Sequence, residues 1–186
     1  MAAQEGNLTQ IQSHIKAGGK CFYFHRPADG ATSLHAAARS TSVDAAKCVD
    51  YLFINGGSLE AKMITNHNTP LHEACRVNNL STVQALLAAG SSFSRNSFGN
   101  TPLHLAVQQG NIQVALLLLE KKHPCDEKNN RGLTALHVCA SLCEEAQPLN
   151  AASTPPAPKS AAPSKNLESY LKIAAALIMY GTDVNM

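Results

Sequence analysis

The apolar positions of this chain fall into clusters that recur along its length. Leu34, Leu71, Leu103 and Leu136 each open an apolar stripe. Three positions after each comes a small residue: Ala37, Ala74, Ala106 and Cys139. That spacing puts both residues on one face of a helix, and the small one lets a second helix approach closely. A second apolar run follows, as in Ser81-Thr82-Val83-Gln84-Ala85-Leu86-Leu87. Gly90 then ends it, in the left-handed conformation that helix termini favour. The pattern predicts pairs of helices, with β structure limited to short hairpin turns. Near the N-terminus, Gly6-Asn7-Leu8 opens a helix with Ile11 and Ile15 on one face, and Gly18-Gly19 closes it. Near the C-terminus, Ile173 to Tyr180 reads as a buried helix, since a membrane span needs about 20 apolar residues.

Each stripe is headed by one four-residue phrase. It reads Thr32-Ser33-Leu34-His35, Thr69-Pro70-Leu71-His72, Thr101-Pro102-Leu103-His104 and Thr134-Ala135-Leu136-His137. The threonines are 37, 32 and 33 residues apart (69 − 32, 101 − 69, 134 − 101). Thr is a good N-cap, because its hydroxyl accepts from an orphan amide of the first turn. Pro70 and Pro102 take the first helical position, where a missing N–H costs little. Gly30, Gly99 and Gly132 lie two residues before their threonines and suit a tight turn with positive φ. His67 stands where the corresponding glycine would be.

This phrase at a period near 33 resembles the ankyrin repeat. The resemblance implies an all-α solenoid of helix pairs joined by β-hairpin turns, with about five repeats and the first incomplete. The repeats fall at approximately 1–19 (partial), 30–57, 67–90, 99–122 and 132–186, in one domain spanning 1–186. The first lacks its own phrase, and the last stops where another repeat would begin. A solenoid end needs a polar cap and none is evident, so the chain is expected to be part of a larger protein or to meet a covering domain.

Two units depart from the period. Thr32 to Gly57 is longer than Thr69 to Gly90, and the extra residues are placed in the loop around Ser40 to Asp44. Residues 147–165, QPLNAASTPPAPKSAAPSK, are rich in Pro, Ala and Ser. Such a segment buries too little to offset its ordering entropy. It is expected to be a disordered insert within the fifth repeat, with Asn166 to Tyr180 supplying that repeat's second helix.

Composition narrows the chemistry. The 186 residues carry a net charge of +2, without the polybasic footprint of a nucleic-acid binder. No signal sequence is apparent at the N-terminus. Six cysteines are scattered over different repeat positions without a C-x2-C pair. His137, Cys139 and Cys143 form the best local cluster, but fewer than four zinc ligands are evident. Reduced thiols of a cytoplasmic protein, with the nucleus also open, are the simpler reading. His35, His72, His104 and His137 recur in each unit that carries the phrase, which marks them as structural. The resemblance implies that each imidazole bridges its own repeat to the next. No nucleophile or carboxylate stands at useful spacing, so no enzyme, metal or cofactor is expected.

The resemblance implies that hairpin tips and first helices line a concave face that binds a protein or peptide; charge and hydropathy give no expectation of nucleic acid or membrane as partner, and the chain is expected to be a monomer. The tip positions are His67, Asn68, Ser97, Phe98, Asn100, Asn130, Arg131 and Leu133. The first-helix positions expected to be exposed are Glu73, Arg76, Val77, Gln108, Gln109, Ser141 and Leu142. Phe98 and Arg131 are the foremost anchors, being residue types that dominate interfaces. A structural spacer between flanking domains is the alternative. The family also implies a modification: Leu177, Asp183 and Asn185 fit the pattern of an asparaginyl hydroxylase substrate, with Asn185 the modified residue.

Overall fold

In a computed structural model, residues 8–16, 29–145 and 167–182 are described. Among them are nine helices and no strand. The helices are α1 (Leu8–Lys16), α2 (Ser33–Arg39), α3 (Ala45–Ile54), α4 (Pro70–Arg76), α5 (Leu80–Ala88), α6 (Pro102–Gln108), α7 (Ile112–Glu120), α8 (Ala135–Glu145) and α9 (Leu167–Thr182). Helices α2, α4, α6 and α8 follow the threonine phrases and pack side by side in that order. Helices α1, α3, α5, α7 and α9 form a second layer, each against its neighbour. Between the layers runs one continuous core that includes Leu34, Leu71, Leu103, Val83, Leu86, Leu118 and Tyr170. Ala37, Ala74, Ala106 and Cys139 are all fully buried where first helices meet their neighbours.

The phrase explains how each first helix starts. At Thr32, Thr101 and Thr134 the hydroxyl accepts from the amide of the histidine three residues on, at 3.4–3.5 Å. The imidazole Nδ1 in turn accepts from the threonine N–H, here and at Thr69, at 3.1–3.4 Å. This is a capping box with His in the place usually held by Glu or Gln. The second helices α5 and α7 start at Asn79 and Asn111. Their side-chain amides donate to the carbonyls of Ser40 and Cys75, one repeat back.

The long second unit has a different layout from the one expected. Gly56, not Gly57, takes the left-handed turn that matches Gly90. The loop between α2 and α3 covers 40–44, against 77–79 between α4 and α5, and α3 is one residue longer than α5. The extension is therefore shared between loop and helix. Helix α9 packs on α7 and α8 and is the second helix of the last pair, as its sequence suggested. The insert at 147–165 lies outside the described residues.

Leu136 is a further correction. Its counterparts Leu34, Leu71 and Leu103 are at most 2% exposed, whereas Leu136 is 36% exposed. The others are covered by the following first helix, and no described helix follows α8 on that side.

Candidate partner-binding surface

Each connection from a second helix to the next threonine ends in a tight turn, here called a finger. The turns close by Met63 N–H to Asn68 O, Asn96 N–H to Asn100 O and Asn129 N–H to Leu133 O, at 2.9–3.0 Å. Positive φ is required two residues before each threonine: Gly30, Gly99 and Gly132 sit at 70–74° and His67 at 55°. Asparagine side chains replace the missing strand ladder. Asn96 Oδ1 accepts from the amides of Phe98 and Asn100, and Asn129 Oδ1 from those of Arg131 and Leu133.

Neighbouring fingers bond to each other in one register. Ile64 N–H donates to Asp29 O, Ser97 N–H to Asn66 O and Asn130 N–H to Phe98 O, at 2.9–3.0 Å. Below them the histidines complete the frame. Nε2 of His35, His72 and His104 lies 2.9–3.1 Å from the carbonyls of Asn68, Asn100 and Leu133, each one repeat ahead. A carbonyl only accepts, so Nε2 carries the proton and Nδ1 is the acceptor within the capping box. Burial lowers the pKa of His72 to about 4, against a smaller opposing effect of the Asn100 carbonyl. These imidazoles are neutral struts. His137 makes the bond within its own repeat but is exposed.

Two expected contact residues are buried instead. Glu73 is 1% exposed, and its carboxylate accepts from Asn68 Nδ2 at 2.7 Å, Arg39 Nε at 2.7 Å and Arg76 Nη2 at 2.9 Å. Burial by itself would raise its pKa; the hydrogen bonds from Asn68, Arg39 and Arg76 outweigh that and bring it to about 2. Asn68 is also buried, held between Glu73 and Asn96 Nδ2 at 2.8 Å. Arg39 reaches across from the previous repeat, and also meets Asp29 at 3.4 Å. Glu73 thus joins two repeats and orients Arg76, which remains exposed. A polar residue early in a short helix reads as surface until its cross-repeat partners are known.

The other expected positions are at least partly accessible. His67, Arg76, Ser97, Gln108, Gln109, Asn130, Arg131 and Ser141 are exposed, while Val77, Asn100, Leu133 and Leu142 are half-buried. Phe98 is 61% exposed at the tip of its finger and does not pack away on its neighbour. Ile64, 70% exposed on the preceding finger, escaped sequence reasoning. So did Lys62, Arg95 and Lys128, each exposed immediately before the closing bond of its finger. The signal was present, a cation six or seven residues ahead of the threonine. One extra residue in the 63–68 turn masked the register. Asn185 lies outside the described residues.

The described cysteines are all free thiols. Cys48, Cys75 and Cys139 are buried free thiols, and Cys139 Sγ lies 3.1 Å from the Tyr170 carbonyl. Burial, with Cys143 nearby, pushes the Cys139 thiol up to about 12. No cluster of three or more His, Cys, Asp or Glu suited to a metal occurs among the described residues. Nor is any described helix long and apolar enough to cross a membrane.

Stacked helix pairs with bonded fingers and histidine struts define a repeat solenoid. The family model for ankyrin repeats in three copies matches residues 1–97 and 78–149, and the chain belongs to the ankyrin-repeat family. Ankyrin repeat and SOCS box protein 11 of Homo sapiens is 30% identical over 111 residues, 60% of this chain and 34% of its own length. Palmitoyltransferase ZDHHC13 of Mus musculus is 41% identical over 76 residues, 40% of this chain and 12% of its own. The putative ankyrin repeat protein FPV031 of fowlpox virus is 30% identical over 147 residues, 76% of this chain and 42% of its own. The chain thus spans between about a tenth and two-fifths of the length of these relatives. Ankyrin repeats are generally protein–protein interaction modules without enzymatic activity.

Proposed function

We infer that this chain is a non-enzymatic binding module whose fingers and first helices hold a protein or peptide partner. The observation that carries the reading is Phe98. A large aromatic stands mostly exposed on a finger whose backbone is bonded to both neighbouring fingers. Such a side chain is presented without entropy cost to the backbone, and aromatics dominate the energetics of interfaces. Arg131, on the next finger, and Gln108 and Gln109, at the end of α6, are exposed and offer polar groups. The mixture favours a partly polar interface of moderate affinity. A structural spacer has no need of an exposed aromatic there.

Site-specific photo-crosslinking tests this. A photoreactive phenylalanine analogue at position 98 or 131 is expected to capture a polypeptide in extracts of the source cells. The same group at Gln84 or Gln113, both exposed on second helices, is expected not to. With the captured partner purified, Phe98→Ala and Arg131→Ala should each weaken binding by more than about 1 kcal/mol. Equal capture from both layers, or capture only from positions 84 and 113, overturns the assignment.

A further inference from the structure

Lys62, Arg95 and Lys128 occupy one structural position in three successive fingers. Each immediately precedes the residue whose N–H closes its turn, Met63, Asn96 and Asn129 respectively. The equivalence extends to what they face. The Lys62 ammonium acts electrostatically on His72, and the Arg95 guanidinium acts on His104, the matching strut of the next repeat. All three side chains are exposed, and none takes part in an ion pair among the described residues. Elsewhere among the described residues, Arg39, Arg76, Lys47 and Lys172 are paired with carboxylates, while Lys16, Lys121, Lys122 and Arg131 are not. What sets Lys62, Arg95 and Lys128 apart is that they repeat at one position of successive fingers.

We propose that this row selects an extended acidic segment of the partner protein, laid along the stack, with an acidic residue at every third position. The proposal rests on the protein-binding reading above and names the chemistry of that partner. The spacing follows from two lengths. Adjacent helices pack with axes roughly 8–10 Å apart, and each finger leads into one helix of the α4, α6, α8 layer. An extended chain in the polyproline II conformation advances about 3.1 Å per residue and turns every third side chain to the same side. One cation per finger thus meets one side chain in about three. Ile64 and Phe98, exposed on adjacent fingers, are placed to meet apolar residues in between. A nucleic acid fits less well. A duplex strand carries a phosphate about every 3.4 Å, far denser than this row. Glu60, Asp126 and Glu127 also lie close in sequence to these cations and would repel a continuous polyanion.

The test uses fluorescein-labelled twelve-residue peptides titrated with the full chain and read by anisotropy. One peptide carries Asp at positions 1, 4, 7 and 10 among Val and Ser. A second has the same composition with the four Asp contiguous. A third has Lys in place of Asp, a fourth Ser, and a single-stranded DNA 12-mer completes the set. The spaced acidic peptide is expected to bind at least tenfold more tightly than any other probe, and to weaken as salt is raised. Lys62→Glu and Lys128→Glu should each weaken it at least fivefold with unchanged melting temperature, whereas Lys172→Glu on α9 should not. Arg95 donates to the Gly99 carbonyl at 3.2 Å, so Arg95→Lys, which keeps the charge, is the variant used there. It should bind nearly as wild type. Equal binding of spaced and contiguous peptides, or charge-reversed variants that bind as wild type, overturns the proposal. Tight binding of the neutral peptide overturns the acid preference and leaves the protein-binding surface standing. No binding by any peptide also overturns the proposal, and the crosslinking at position 98 then judges the broader reading independently. A preference for the oligonucleotide overturns both.

Discussion

At the scale of single residues, the buried titratable groups make stability depend on pH in two windows. His72 and His123 are buried and titrate at about 4, chiefly through burial, against an ordinary value of 6.5. The unfolded chain takes up those protons first, so their contribution is whole above pH 6.5 and lost as pH falls to about 4. Each shift corresponds to on the order of 3 kcal/mol. His123 Nδ1 donates to Pro124 O at 2.7 Å, and its Nε2 is buried without a partner. Glu73 is the opposite kind of group. Its folded value of about 2 lies below the ordinary 4.5, so its contribution is whole above 4.5 and lost as pH falls towards 2. Melting followed by circular dichroism should therefore drop steeply between pH 6.5 and 4. His123→Gln should flatten that slope. Glu73→Gln should lower stability at pH 7 by about 1–3 kcal/mol, because Arg76 loses its anion and Arg39 keeps only Asp29.

At the scale of the element, the fingers are the strained parts. Gly99 and Gly132 have nearly the same positive φ, 71° and 74°. A Cβ on Gly99 would lie 2.6 Å from the Asn130 backbone nitrogen, while one on Gly132 meets nothing within 4 Å. Gly132→Ala should cost only the left-handed penalty, about 1–2 kcal/mol. Gly99→Ala should cost clearly more, because two fingers must separate. It should also broaden the amide resonances of Ser97 and Asn130. Similar losses for both variants in urea titrations would show that finger stacking contributes little.

At the scale of the whole molecule, each repeat is stabilised by the next one, and the consequence shows in paired leucines. Leu103→Ala empties a site that is 1% exposed, between repeats on both sides, and should cost about 2–5 kcal/mol. Leu136→Ala removes the same side chain from the same place in the phrase, yet from a face that is 36% exposed. It should cost less than half as much. The last pair also exposes Leu171, Ile178 and Tyr180 on α9. In a nearest-neighbour array such an end opens first. Hydrogen exchange should then be faster in α8 and α9 than in α4 to α7. Uniform protection across all of these helices would count against it.

The repeat itself was legible in the sequence because its causes are local. An N-cap threonine, a proline in the first turn, a leucine and alanine three apart, and a left-handed glycine act within a few residues. Their recurrence gives the stacking for free, and the histidine struts follow from a residue that returns at the same place. What each polar side chain does was decided only by the stacked structure. Glu73 and Asn68 look like surface residues within one repeat, and become buried only because Arg39 and Asn96 arrive from the repeats on either side. Leu136 looks like core, and becomes surface because nothing among the described residues stacks beyond it. Lys62, Arg95 and Lys128 form a row only when the extra residue in the first of their fingers is absorbed by the turn. Local propensity acts over a few residues, whereas burial and register depend on neighbours about 33 positions away in the chain.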